Sequence, residues 1–123
     1  MNKDFVNNNF DKFLSDCHQF PLVIIGGNRE TSSFMDVFMK DERIHVEGQI
    51  NTIEHETIYP KIDIERLIET KKDIVVLITD KHPFLWQKKL LEIHIYRYYS
   101  SFMFVERFVF ENNTSFCRFY LDD

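Results

Sequence analysis

Apolar residues recur at intervals of three and four over the first stretch of the chain. Phe5, Val6, Phe10, Phe13, Leu14 and Cys17 form one stripe, which predicts an amphipathic helix over residues 4–18 opened by Asn2 or Asp4. Leu22-Val23-Ile24-Ile25 is then an unbroken branched run ending in Gly26-Gly27, the pattern of a buried strand entering a tight turn. A second helix follows, capped by Ser32 and Ser33, with Phe34, Met35, Val37, Phe38 and Met39 on its apolar side. Ile44, Val46, Gly48 and Ile50 alternate with His45, Glu47 and Gln49, which predicts a strand with one face buried. After Pro60, Asp63 caps a short helix in which Ile64, Leu67 and Ile68 share a face.

Ile74-Val75-Val76-Leu77-Ile78 is the strongest strand pattern in the chain. Pro83 suits the first turn of a helix whose inward face is Phe84, Leu85, Leu91 and Ile95, reaching about Tyr98. Phe102 to Phe110, a turn at Asn112-Asn113, and Phe116 to Leu121 read as an antiparallel hairpin. Strands alternating with helices predict a single α/β domain over residues 1–123: a three-layer, Rossmann-like, mainly parallel sheet with a C-terminal antiparallel hairpin.

Composition narrows the reading. A chain of 123 residues is one domain's length, and 44% hydrophobic with 28% charged residues excludes disorder as its main description. Thirteen Phe against three Gly and no Ala predict an interior filled by large rings. The formal net charge of -5 speaks against a nucleic-acid partner, which needs clustered Lys and Arg. Cys17 and Cys117 lack metal-ligand spacing and read as reduced core thiols. The polar start carries no apolar secretion core, and no apolar run approaches the ~18 residues of a membrane span, so a cytoplasmic protein without membrane contact is expected.

The first candidate for chemistry is the glycine turn, because a helix N-terminus offers free N–H groups and a positive dipole to an anion. Gly26, Gly27, Asn28, Arg29, Thr31 and Ser32 supply the turn and its donors, while Glu30 opposes an anion. Asp80 and His82 sit at the expected carboxyl end of the strongest strand, where open α/β sheets bind ligands. Capping of the Pro83 helix explains the same two residues. His45, His55, Glu47, Glu54 and Glu56 point in alternating directions if extended and read as a solvated acidic surface, not a metal site. Trp86, Tyr96, Tyr98 and Tyr99 read as aromatics buried by an amphipathic helix.

From residue 20 to about 105 the chain resembles the small Rossmann-like N-terminal domains of bacterial sugar acyltransferases and related sugar-processing proteins. The resemblance rests on Leu22-Val-Ile-Ile-Gly-Gly27, on Val46-Glu-Gly-Gln-Ile-Asn51, and on Asp73-Ile-Val-Val-Leu-Ile-Thr-Asp80 followed by a helix. It implies that the turn helps hold a nucleotide-sugar or similar ligand. Two glycines of that pattern are replaced, by Asn28 and Thr31, and its acidic residue after the second strand is Asn51, a neutral partner for a hydroxyl. The β-helix that performs acyl transfer in such enzymes has no counterpart here.

The hairpin suggests an interface. Phe102, Phe104, Phe108 and Phe110 alternate with Met103, Val105 and Val109, so both faces are apolar, and a second copy or another protein is the simplest cover for Phe102, Phe104, Phe108, Val109 and Phe110. The expected function is a non-catalytic binding or regulatory domain for a small anionic ligand such as a nucleotide or nucleotide-sugar. The alternative is a viral or bacterial interaction protein that uses the Phe-rich hairpin.

Overall fold

The computed structural model describes residues 3–40, 42–70 and 73–104, with the side chains of residues 3–8, 70 and 102 left aside. Helix α1 (Lys3–Gln19) leads to strand β1 (Leu22–Ile25), helix α2 (Asn28–Phe38) and strand β2 (Val46–Ile50). Helix α3 (Ile64–Thr70), strand β3 (Val75–Ile78), helix α4 (Phe84–Glu92) and strand β4 (Tyr98–Ser100) complete the order, followed by a 3-10 turn at Ser101–Phe104.

The strands form one sheet in the order β2-β1-β3-β4, with every pairing parallel. Parallel strands covered on both faces need continuous apolar runs. Leu22–Ile25 and Val75–Ile78 accordingly have all eight residues buried. Alternation divides them between two cores. Leu22, Ile24, Val75 and Leu77 meet Phe10 and Phe13 of α1, Phe34 and Phe38 of α2, and Phe104. Val23, Ile25, Val76 and Ile78 meet Leu67 of α3, Leu90 of α4, and Ile95. One face is thus packed with rings and the other with branched aliphatic side chains.

Three sequence expectations are corrected. In β2, Leu22 pairs with Val46 but Val23 pairs with Gly48, so Glu47 is an extra residue. That bulge moves the face: Val46 joins Ile44 on the ring side while Ile50 joins the aliphatic side, although strict alternation would put them together. Gln49 is swung into the interior with no exposure.

Helix α4 is also shorter than its pattern suggests. His94 adopts φ 63°, the Ile95 N–H donates to Leu90 O and the His94 N–H to Leu91 O, a Schellman stop in which Leu90 and Ile95 share the aliphatic core. With Leu90 inward, Phe84, Leu85 and Leu91 are turned outward and stand 77%, 71% and 46% exposed. Tyr98 and Tyr99 therefore belong to β4, and the Tyr99 hydroxyl donates to Asp16 Oδ2 at 2.5 Å. Burial and that carboxylate push the Tyr99 phenol well above its usual range.

The third correction concerns only the start of the expected antiparallel hairpin, whose residues from 105 onward lie outside the described residues. Among the described residues every strand pairing is parallel, and Phe102 and Phe104, placed in a strand by their alternation, lie in the 3-10 turn. Phe104 is fully buried among the rings of α1 and α2, turned away from any partner. Phe108, Val109, Phe110 and Cys117 lie outside the described residues. No helix among the described residues is long and apolar enough to cross a membrane.

Candidate functional site

The strand order reverses between β1 and β3, since β1 leads to β2 on one side of the sheet and β3 leads to β4 on the other. The helix that follows β1 packs on the ring face and the one that follows β3 on the aliphatic face. Their diverging starts define the crevice where open α/β sheets take ligands. Gly26, Gly27 and Asn28 form one wall of it, and Thr79 and Asp80 the other.

The two walls touch. A Cβ on Gly26 would lie 1.9 Å from Thr79 Oγ1 and 3.0 Å from the Asp80 nitrogen, so only glycine fits between the strand ends, and its φ of +157° is one that side chains rarely adopt. The Gly26 N–H donates to Ile50 O at 3.0 Å, tying the turn to β2 as well. The hydroxyls of Thr31 and Thr79, both without exposure, share a hydrogen bond of 3.0 Å across the floor. Thr31, expected among the ligand donors, instead joins α2 to β3.

Gly27 is the N-cap of α2 and has no side chain to cap it. An acid from the loop after β2 does that work. Glu54 Oε2 accepts the Asn28 N–H at 2.9 Å, and Glu54 Oε1 lies 3.1 Å from where a Gly27 Cβ would stand, beside Glu30 Oε2 at 2.9 Å. The positive end of the helix thus holds the chain's own carboxylate in the place of a ligand anion.

Buried amides hold that arrangement. Gln49 Nε2 donates to Gly26 O and to Asn28 Oδ1, each at 3.0 Å, and Gln49 Oε1 accepts the N–H groups of Ile58 and Tyr59. Asn51 Nδ2 donates to Glu54 Oε2 at 2.9 Å, and Asn51 Oδ1 accepts the N–H groups of Ile53 and Glu54. Asn28 Nδ2 donates to Glu56 O at 2.8 Å. The loop after β2 is therefore fastened across the glycine turn by side chains that are largely satisfied within the protein.

The remaining predicted site residues are not all brought together. Arg29 and Ser32 are exposed on α2, while their neighbour Thr31 faces the crevice floor. Asp80 adjoins Gly26, yet its Oδ1 accepts the His82 N–H at 2.9 Å in a local turn before α4, and His82 is exposed. Sequence reasoning missed Gln49, Glu54 and Thr79. Gln49 was hidden by the bulge, and Glu54 and Glu56 were placed on a solvated acidic surface. The signal for Glu54 was its position three residues after Asn51, the spacing that lets the Asn51 carboxamide turn the loop back. Compared with protein-family models, curated proteins and solved structures, the chain matches none.

Proposed function

We propose that this chain is a non-catalytic interaction domain that keeps a Rossmann-like frame and closes its ligand crevice with its own side chains. The observation that carries the reading is the Glu54 carboxylate on the Asn28 N–H, in the position a phosphate would need. Both glycines, which in a nucleotide site allow the backbone to approach a phosphate, here accommodate internal neighbours: Thr79 at Gly26, and Glu30 with Glu54 at Gly27. Acids at the mouth, Glu30 and Glu54 on one side and Asp80 on the other, repel a further anion. An interaction role is supported by the apolar side chains that α4 turns outward instead of into its core.

The second reading is a domain for a small anionic ligand, a nucleotide or nucleotide-sugar, that exchanges with Glu54. It is favoured by the same hydrogen bond, since this amide demonstrably suits an oxyanion. Titration with inorganic phosphate, ADP and UDP-glucose, followed by amide chemical shifts, separates the two. The interaction reading expects no saturable shift at Asn28 in the wild type or in Glu54→Gln. Saturable binding that Arg29→Ala weakens and Glu54→Gln strengthens overturns it in favour of the ligand reading.

A further inference from the structure

The loop after β2 leaves the sheet at Ile50 and comes back beside it at Lys61. Gln49 ties the returning chain, its N–H donating to Pro60 O at 2.8 Å while the Ile62 N–H donates to Gln49 O at 3.1 Å. The two ends are thus fixed side by side, the closure of an Ω-loop. Between them, residues 52–58 add nothing to the core. None of them is buried, and the two large apolar ones, Ile53 and Ile58, stand 70% and 48% exposed, although Ile53 Cδ1 reaches toward Gly27. Tyr59, packed against the ring core, is the first side chain after them with an apolar hold.

What fastens residues 52–58 is polar, and it converges on one residue. Asn28 donates its N–H to Glu54 Oε2 and its Nδ2 to Glu56 O, while its Oδ1 accepts Gln49 Nε2 at 3.0 Å and Asn51 Nδ2 at 3.3 Å. Gln49 and Asn51 then grip the two ends of the segment, Asn51 Oδ1 accepting the Ile53 and Glu54 N–H groups and Gln49 Oε1 that of Ile58. Outside this set, Lys61 Nζ donates to His55 O on the surface at a long 3.4 Å. Each bond orients a carboxamide that makes the next, so losing one loosens the others.

We infer that residues 52–58 are a lid that opens and closes over the glycine turn as one unit, with the Asn28 side chain as its latch. A segment with no buried apolar area and with both ends pinned leaves without disturbing the strands beside it. The open form bares the Asn28 N–H and Gly27, and a partner reaches the crevice only in proportion to that population. The inference adds regulation to the self-closed crevice. It rests on that reading for what opening exposes, whereas the motion is measured without any ligand.

The test is native-state hydrogen exchange of the whole chain, read by NMR. The N–H groups of Asn28, Ile53, Glu54 and Ile58, which all donate to this network, are expected to exchange through one shared opening, more than about tenfold ahead of the sheet amides of Val75 and Val76. Asn28→Ala is expected to speed all four by a common factor of about ten, the weight of one or two hydrogen bonds, once intrinsic rates are allowed for. Lid amides with unrelated protection, or lid amides as slow as the sheet, overturn the inference, as does an Asn28→Ala chain in which only one of them is faster. Should that substitution unfold the chain, the wild-type comparison decides by itself. None of these failures touches the phosphate and nucleotide titrations, which judge the closed crevice separately.

Discussion

Removing the Glu54 carboxylate tests whether the glycine turn is held by an internal anion. Its Oε2 accepts the Asn28 N–H and Asn51 Nδ2, each at 2.9 Å, in a half-buried setting. Hydrogen bonds to a charged acceptor contribute about 1.5–3 kcal/mol each. The sum overstates Glu54→Ala, because water can reach the donors it leaves behind, and a loss of about 2–4 kcal/mol is expected. Glu54→Gln keeps an acceptor oxygen and gives up the charge. It forgoes the helix-dipole term of about 0.3–1 kcal/mol and part of each charged bond, so about 1–2 kcal/mol is expected. Urea unfolding measures both through the midpoint at constant slope. The reasoning fails if Glu54→Ala falls within about 0.5 kcal/mol of the wild type, the usual scatter of surface substitutions, or if Glu54→Gln is the more damaging of the two.

Three further outcomes follow from other positions. Gly26→Ala should lose about 3 kcal/mol or more, since its Cβ meets Thr79 Oγ1 at 1.9 Å and backbone behind it; Gly27→Ala should lose only about 1 kcal/mol, because the carboxylates it meets can swing aside, and equal losses in urea titration would contradict the assignment. Burial, and then the nearby Asp16 and Glu42 charges, push the Cys17 thiol up to about 12. An unfolded thiol ionises near pH 8.5, so stability should be unaffected below that pH and fall by up to about 1.4 kcal/mol per unit as pH rises toward the folded value. That part of the slope should vanish in Cys17→Ala, and native Cys17 should resist thiol reagents until the chain unfolds. His94→Gly relieves a left-handed residue at the end of α4, and a gain of about 0.5 kcal/mol in the urea midpoint is expected after allowing for glycine's freer unfolded state; a loss would show that the His94–Tyr96 hydrogen bond matters more.

The fold was legible where one physical demand governs a whole segment. Strands buried on both faces must be continuously apolar, so β1 and β3 announce themselves, and α1 follows from the spacing of Phe10, Phe13 and Cys17. It was illegible where one residue changes the frame. Glu47 has nothing in its chemistry to mark a bulge, yet it decides which face Val46, Gln49 and Ile50 take. His94 is an uncommon residue for a left-handed stop, which is why the α4 pattern runs on past its true end and makes Phe84 and Leu85 look like core. At the turn, Gly26, Gly27, Asn28 and Asn51 stand out in the sequence because glycines and carboxamides signal special backbone needs. What those residues serve was not legible, since Glu54 reaches Asn28 across 26 positions and Thr31 reaches Thr79 across 48.

The division of the interior into rings and branched aliphatics also orders assembly in time. Among the described residues the last strand ends at Ser100, and the last buried residue of the aliphatic layer is Ile95. The ring layer extends further, to Phe104. Phe104 lies with its centroid 5.3 Å from Phe10, 5.7 Å from Phe13, 6.1 Å from Phe34 and 6.3 Å from Phe38, filling the space where α1 and α2 converge. As the chain leaves the ribosome, α1 is made first but gains its full packing late, after four strands and three other helices have been synthesised. A fragment that stops at Ser100 has every described strand and lacks a ring whose loss costs about 3–5 kcal/mol, a large share of a small domain's stability. Among the described residues, the last strand and the last ring of the interior are therefore laid down separately, four residues apart in sequence.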